Sequence, residues 1–170
     1  EVGVNHNGKL TLAKQLVRTA KECGADVVKF QTFHIDRMVS KYTQMAEYQK
    51  TNTGMVESQK EMLRKLTLSK EDFLSLADYC KEVDIQFLST PFDIDSMHFL
   101  MNLQDMWKIP SGEITNYPYL VEIARTGKDV ILSTGMSTLE EVDAARTVLR
   151  DNGAGKITIL HCTTNYPTPM

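Results

Sequence analysis

The sequence contains few cysteines, and none of them lies close to another in the chain. Cys23, Cys80 and Cys162 are odd in number and widely spaced. A disulfide framework needs pairs, and a cysteine metal motif places two thiols a few residues apart, so neither is predicted. Separate thiols of this kind are typical of a reducing compartment, and we expect a cytoplasmic location.

Long apolar runs and an excess of positive charge are also missing. No run approaches the roughly 18 apolar residues that span a bilayer, and 19 Lys and Arg stand against 22 Asp and Glu, for a net charge of −3. This balance predicts neither a nucleic-acid partner nor an anionic membrane as partner. The nucleotide-binding patterns GxGxxG and GxxxxGK[ST] are absent as well, so no sequence motif supports a dinucleotide or P-loop site.

Strand-like and helix-like segments alternate along the chain. Strands are predicted to begin near positions 1, 26, 85, 106, 129 and 156. The repeat is interrupted by a polar insertion over 33–65, in which 55–66 is predicted to contain a helix. The other predicted helices are 11–23 with Thr11 as N-cap, a helix opened by Ser69 with Asp72 in a capping box, 94–104, 117–126, and a helix from Ser137, with Glu140 in a capping box, to Arg150.

This alternation predicts an α/β fold with a parallel sheet, for which two architectures fit: a doubly wound sheet or a (β/α)₈ TIM barrel. Strand parity favours the barrel, because Val28 and Phe30 share one face while Lys29 and Gln31 share the other. The first six β/α units would then lie within 1–170 as a partial barrel. We expect these residues to be a piece of a longer protein, because the chain opens inside a strand-like segment without Met.

Polar side chains stand within strands that should be apolar if both faces are covered. Lys29, Lys108 and Ser133 are the clearest cases, and a buried lysine requires an anionic partner. One interpretation is a cradle for a phosphate or carboxylate, with Ser111, Ser133 and Thr90 as neutral donors. The other is that each lysine pairs with an interior carboxylate, Glu1 or Glu113, which could instead position a proton, a water or a sugar hydroxyl.

The histidines do not form a ligand cluster by spacing. His98 lies in a helical stretch, whereas His6 and His161 stand near strand ends, where a structural role and a ligand contact are both open. Tyr166, before Pro167, is predicted in the loop after the sixth strand, where it either contacts substrate or packs the loop.

Six motifs in series closely resemble the sialic acid synthase family, over essentially the whole chain. They are Glu1–Gly8 (EVGVNHNG), Val28–Thr32 (VKFQT), Phe87–Phe92 (FLSTPF), Lys108–Glu113 (KIPSGE), Ile131–Met136 (ILSTGM) and Leu160–Pro167 (LHCTTNYP). The resemblance implies a TIM barrel whose seventh and eighth strands lie beyond these residues, followed by a small C-terminal antifreeze-like domain.

The resemblance also implies a reaction. In the family, C3 of phosphoenolpyruvate attacks the aldehyde of an open-chain N-acetylmannosamine-type sugar, water adds at C2, and the tetrahedral intermediate loses phosphate to give a nine-carbon sialic acid. A divalent metal, Mn²⁺ or Mg²⁺, polarises the aldehyde. Family members are domain-swapped dimers, so we expect a homodimer for the full-length protein and an inactive piece in residues 1–170 alone.

Carried over by motif, site residues fall into three groups. The resemblance implies that Glu1 is the acidic catalytic residue beside the metal-bound water or the sugar oxygen. No metal ligand is assigned, because the family's metal-binding histidines correspond to the seventh and eighth strands. Thr164 departs from the Asn with which some members contact phosphoenolpyruvate. The binding groups are Lys29, Thr90, Lys108, Ser111 and Ser133 for phosphoenolpyruvate, and Gln31, Glu113 and Tyr166 for the sugar.

Two alternatives to a sialic acid synthase remain at this point. One is another phosphoenolpyruvate-condensing barrel, such as a 3-deoxy-heptulosonate synthase-like enzyme, against which the different motif series argues. The other is a non-catalytic sugar-phosphate-binding module, against which the retention of the inward-facing polar residues argues. The residues do not distinguish N-acetylmannosamine, its 6-phosphate and a diacetamido sugar as substrate.

Overall fold

A computed structural model describes residues 1–38, 59–166 and Thr168, and it confirms an α/β fold with parallel strands. The strands are β1 (Val27–Thr32), β2 (Gln86–Pro91), β3 (Met106–Ile109), β4 (Asp129–Ser133) and β5 (Ile157–Leu160). The helices are α1 (Leu10–Glu22), α2 (Ile35–Met38), α3 (Gln59–Arg64), α4 (Lys70–Glu82), α5 (Ile94–Leu100), α6 (Tyr117–Ala124) and α7 (Leu139–Asp151), with a 3₁₀ turn over Ser111–Glu113. The strands of the described residues do not form a closed barrel.

The chain divides into two compact units, Glu1–Phe87 and Leu88–Met170. In the first unit, β1 lies beside the start of β2, where the Gln86 N–H donates to the Asp26 carbonyl at 3.0 Å. The apolar core of this unit contains the Phe30 ring, stacked on Phe87 and meeting Phe73 edge to face. Helices α1 and α4 supply buried apolar side chains on one stripe each, as amphipathic helices do.

In the second unit, β3, β4 and β5 form a parallel sheet in that order. The connections are α6 and α7, so this unit consists of β-α-β-α-β crossovers, as the alternation predicts. Trp107, Val130 and Leu132 are fully buried. Lys128, the residue before β4, is half-buried. Its ammonium donates to the carbonyls of Met101 and Gln104 and lies 5.6 Å from the Trp107 ring centroid, so these contacts fix the start of β4.

Three local predictions were wrong. The first strand does not form: Gly3 has φ +55°, and the Asn5 N–H turns back to the Val2 carbonyl. Only an isolated bridge between Gly3 and Phe30 remains. Helix α1 begins at Leu10, after a left-handed turn at Gly8, so Thr11 lies inside the helix and is not its N-cap.

The third error is a capping box displaced by one residue. Both Ser137 with Glu140 and Thr138 with Glu141 have the required spacing. The structure uses Thr138, whose side chain accepts from the Glu141 N–H, while the Ser137 hydroxyl donates back to the Gly135 carbonyl at 3.3 Å. The predicted Ser69 and Asp72 box is confirmed.

The predicted insertion is described only at its two ends. Helices α2 and α3 lie within 33–65, and α3 confirms a helix inside the predicted 55–66. The part of that prediction over 39–58 falls outside the described residues. No helix in the described ranges is both long and apolar enough to cross a membrane.

Candidate active site

Lys108 and Ser133, two residues of the predicted anion cradle, lie beside each other in the second unit. Lys108 on β3 pairs in register with Ile131 on β4, and Ser133 lies two residues further along the same face. The Lys108 Nζ donates to the Ser133 Oγ at 2.5 Å and to the Ile109 carbonyl at 3.0 Å. The lysine is half-buried and Ser133 is 7% exposed, so this charge is partly withdrawn from water.

Ser111 joins this region through the loop that follows β4. Its Oγ accepts a hydrogen bond from the Gly135 N–H at 2.8 Å. Gly135 is buried, and a Cβ built on it would lie 1.8 Å from the Thr164 Oγ1 and 3.1 Å from the Ser111 Oγ. Only glycine therefore allows the β4 loop to approach Ser111 and Thr164 this closely.

Two threonine hydroxyls of the second unit are buried without a hydrogen-bond partner in the described part of the chain. They are the Oγ1 atoms of Thr90, on β2, and Thr164, in the segment after β5. A buried hydroxyl without a partner costs about 1–3 kcal/mol of folding free energy. Such groups are therefore rare, and one explanation is that the hydroxyl binds an oxygen of a ligand. Thr90 is 2% exposed and was predicted as a binding residue.

The backbone is strained at Thr164 and at Met136, the residue after Gly135. Thr164 has φ +54° and Met136 has φ +62°, both in the left-handed region that favours glycine. A β-branched residue such as Thr is an outlier there, and strain of this kind concentrates at ligand sites. The left-handed backbone of these two residues could not be predicted from sequence, since neither Thr nor Met is a typical left-handed residue.

Glu113 follows Ser111 in the 3₁₀ turn and is half-buried. Its Oε2 accepts a hydrogen bond from the Asn116 Nδ2 at 2.6 Å. Asn116 is also the N-cap of α6, and its position before Tyr117 and Pro118 is a recognisable helix start. The sequence therefore contained a signal for Asn116, although not for its contact with Glu113.

The first unit contains the other predicted lysine. The Lys29 Nζ lies 2.6 Å from the Glu1 Oε1, with side chains 18% and 54% exposed. Lys29 thus forms the ion pair with Glu1 that one of the two interpretations predicts. Lys29 and Gln31 lie on the same half-buried face of β1. The parity prediction for this strand is confirmed, because Val28 and Phe30 are buried on the opposite face.

The remaining predicted residues are placed individually. Tyr166 is 68% exposed, and His161 is exposed after β5. His6 is buried: its Nδ1 accepts from the Gly8 N–H at 3.1 Å, and its Nε2 has no hydrogen-bond partner among the described residues. Burial lowers the pKa of His6 below its ordinary value of 6.5, which favours the neutral ring.

The cluster of Lys108, Ser111 and Ser133 suits an anion rather than a metal ion. Its one charged group is cationic and its other donors are hydroxyls and the Gly135 amide, a set that matches phosphate or carboxylate oxygens. Divalent Mg²⁺ and Mn²⁺ are typically bound by carboxylate, carbonyl and water oxygens. These three residues do not fit such an ion.

The described residues define an α/β protein in which parallel strands carry a lysine and a hydroxyl side by side near their ends. Comparison with known proteins is more specific. The NeuB family model matches residues 16–170, so the chain belongs to the NeuB family. The resemblance to sialic acid synthases inferred from the six motifs is thereby confirmed.

Individual relatives agree with this assignment. The N,N'-diacetyllegionaminic acid synthase of Campylobacter jejuni is 49% identical over 173 residues, which cover 100% of this chain and 52% of that protein. The enzyme of the same name from Legionella pneumophila is 48% identical over 98% of this chain and 48% of its own length.

A solved structure supports the same fold. The N-acetylneuraminic acid synthetase of Leptospira borgpetersenii, in complex with citrate, matches 99% of this chain and 54% of its own with a TM-score of 0.83 and 27% identity. The chain thus spans about half the length of the relatives it matches.

Proposed function

We propose that the full-length protein condenses phosphoenolpyruvate with an amino-sugar aldehyde to form a nine-carbon sialic acid and inorganic phosphate. The observation that carries this proposal is the Lys108–Ser133 pair beside the Ser111–Gly135 contact, in a chain of the NeuB family. Phosphoenolpyruvate carries a phosphate and a carboxylate, and an ammonium with neutral donors matches such oxygens.

Each proposed binding residue has a defined task. Lys108, Ser111 and Ser133 hold anionic oxygens of phosphoenolpyruvate, and the buried hydroxyl of Thr90 donates to one more. The second lysine, Lys29, is assigned to the same substrate by its motif. Gln31, Glu113 and Tyr166 are assigned to the sugar by theirs, and Glu1 is the proposed acidic catalytic residue.

The bonds change in a balanced sequence. The C3 carbon of phosphoenolpyruvate forms a bond to the aldehyde carbon, and the aldehyde oxygen takes up a proton to become a hydroxyl. Water then adds at the cationic C2 and releases one proton, which balances the proton taken up by the aldehyde oxygen. Cleavage of the bond from C2 to the phosphate oxygen releases inorganic phosphate, which takes the remaining proton of the new hydroxyl and leaves the ketone. A divalent metal, held by other residues of the full-length protein, would supply polarisation of the aldehyde.

The finer assignments are part of the same proposal. The two relatives at 49% and 48% identity are named as N,N'-diacetyllegionaminic acid synthases, which supports a diacetamido sugar as the acceptor. We further propose that the full-length chain completes a TIM barrel, carries a C-terminal antifreeze-like domain, forms a homodimer and works in the cytoplasm.

The test is phosphate release by the full-length protein with Mn²⁺, phosphoenolpyruvate and one of three sugars. The sugars are a 2,4-diacetamido-trideoxy hexose, N-acetylmannosamine and its 6-phosphate. We expect release that depends on the diacetamido sugar. Release that depends on either other sugar keeps the reaction class and corrects the acceptor, whereas no sugar-dependent release by folded, metal-loaded protein overturns the proposal.

Lys108→Gln tests the anion site directly. Loss of a charge-assisted hydrogen bond should raise the KM for phosphoenolpyruvate by about 10- to 100-fold. Lys156→Gln is the matched control, because Lys156 is exposed and its substitution makes the same change in net charge. Equal KM values for the two variants would remove Lys108 from the site.

A further inference from the structure

We propose that Asn116 is a positioning residue that fixes the Glu113 carboxylate for the sugar acceptor. The inference rests on the proposed function, in which Glu113 faces the sugar. No sequence motif assigned Asn116 a role beyond the start of a helix. The contact that suggests more is the short hydrogen bond from the Asn116 Nδ2 to the Glu113 Oε2, at 2.6 Å.

Both ends of the Asn116 amide are engaged, and their chemistry fixes its orientation. The Oδ1 accepts from the Tyr119 N–H at 3.4 Å, and the Nδ2 donates to Glu113. A carboxylate cannot donate and a backbone N–H cannot accept, so the flipped amide would lose both contacts. Glu113 is thereby tied to the first turn of α6.

That turn is itself anchored. The Tyr119 side chain is 3% exposed, and its hydroxyl donates to the Pro91 carbonyl at 2.7 Å. Burial, with the negative charges of Glu113 and Asp93, raises the pKa of Tyr119, so the hydroxyl keeps the proton it donates. The residue before Pro91 is Thr90, so the same turn holds the end of β2 beside a proposed phosphoenolpyruvate ligand.

The functional consequence is preorganisation. A glutamate side chain has several rotatable bonds, and ordering it only when substrate binds reduces affinity. Asn116 holds one carboxylate oxygen in advance, which leaves the Oε1 to accept from a sugar hydroxyl or amide. Loss of this contact should weaken sugar binding while leaving the Lys108 cluster intact.

Asn116→Asp separates this role from helix capping. Aspartate is as good an N-cap as asparagine and is favoured at a helix N-terminus, so the cap of α6 should be retained. The variant replaces the donor to Glu113 by a like charge. We expect the KM for the sugar to rise about tenfold with the KM for phosphoenolpyruvate nearly unchanged, since a lost hydrogen bond and a new repulsion add. Asn116→Ser keeps a capping oxygen without the charge and should raise the KM for the sugar about threefold.

The control variant is Asn102→Asp, which makes the same charge change at an exposed turn residue and should leave both KM values unchanged. A double-mutant cycle with Glu113→Gln completes the test. In the Glu113→Gln background, Asn116→Asp should have little further effect on the sugar KM, because the group it positions has changed. An unchanged sugar KM in Asn116→Asp, or an equal increase in both backgrounds, overturns the inference.

Calorimetric titration of the same variants with sugar in the absence of phosphoenolpyruvate separates this inference from the proposed function. An active wild-type protein with an unaffected Asn116→Asp variant refutes only the role of Asn116. A wild-type protein that neither binds nor condenses any of the three sugars refutes the proposed function and this inference with it.

Discussion

Gly135→Ala should destabilise the protein through a specific collision with Thr164. The φ of Gly135 lies outside the left-handed region, so alanine is acceptable to the backbone and the effect arises from contact alone. The new methyl would lie 1.8 Å from the Thr164 Oγ1 and 3.1 Å from its Cβ. Rotation about χ1 can remove the first collision but leaves the second.

The size of the effect follows from that geometry. Ordinary contact begins at 3.4 Å, so the Thr164 Oγ1 must move by 3.4 − 1.8 = 1.6 Å, and the Cβ by a few tenths of an ångström. Displacements of this size in a packed region cost about 1–3 kcal/mol in the free energy of unfolding. The Gly135 N–H to Ser111 hydrogen bond would be strained as well, with a loss of about 1 kcal/mol at most.

Thr164→Gly provides the compensating change. It removes both atoms that the new methyl meets, and it relieves a β-branched residue at φ +54°, which costs about 1–2 kcal/mol. We therefore expect Gly135→Ala to cost about 1–3 kcal/mol in the parent and less than about 1 kcal/mol in the Thr164→Gly background. The remaining cost reflects the Ser111 Oγ at 3.1 Å.

The assay is urea unfolding of the full-length protein and its variants, followed by fluorescence and circular dichroism. Gly112→Ala is the matched control, because a Cβ there meets no heavy atom within 4 Å and its φ is not left-handed, so stability should not fall. Equal costs of Gly135→Ala with and without Thr164 would refute the contact argument.

Two predictions concern titrating groups of the first unit. Burial raises the pKa of the Cys80 thiol to about 12, so this thiol should react slowly. Iodoacetamide should label the exposed Cys23 in the folded protein and should label Cys80 only after urea unfolds the protein. Prompt labelling of Cys80, located by peptide mass mapping, would contradict this. Burial lowers the pKa of His6 below 6.5, so the unfolded state binds more protons and stability should fall as the pH drops through 6.5. His6→Gln should flatten that dependence while His98→Gln, at an exposed position, should not, as urea midpoints across pH would report.

Element order and strand parity could be predicted because both depend on short-range patterns. The burial of Val28 and Phe30 against the half-buried Lys29 and Gln31 follows from a two-residue period alone. The errors arose where several local solutions were equally good. Ser137 and Thr138 each have an acidic residue three positions on, and the Ser137 hydroxyl's bond to the Gly135 carbonyl decides between them. Such a contact depends on the folded loop and has no signature in the local sequence.

The site shows the same limit. Lys108, Ser133 and Ser111 could be predicted because a lysine or hydroxyl at a strand end interrupts an apolar pattern. Thr164 and Asn116 could not be assigned their contacts in this way. Their importance lies in φ +54° at one and in a 2.6 Å hydrogen bond to Glu113 at the other, and both are products of the fold.

The two lysines that looked equivalent in sequence differ in their electrostatic setting. Lys29 already has the Glu1 carboxylate at 2.6 Å, so an anion that binds Lys29 must share it with a negative charge or displace that charge. The Lys108 ammonium donates to the neutral Ser133 hydroxyl at 2.5 Å and to the Ile109 carbonyl at 3.0 Å. The Lys29–Glu1 pair therefore holds a cation and an acid together, whereas the hydrogen bonds described for Lys108 are to neutral oxygens. In the proposed function, Lys108 is a ligand of phosphoenolpyruvate in the second unit and Glu1 is the acidic residue in the first.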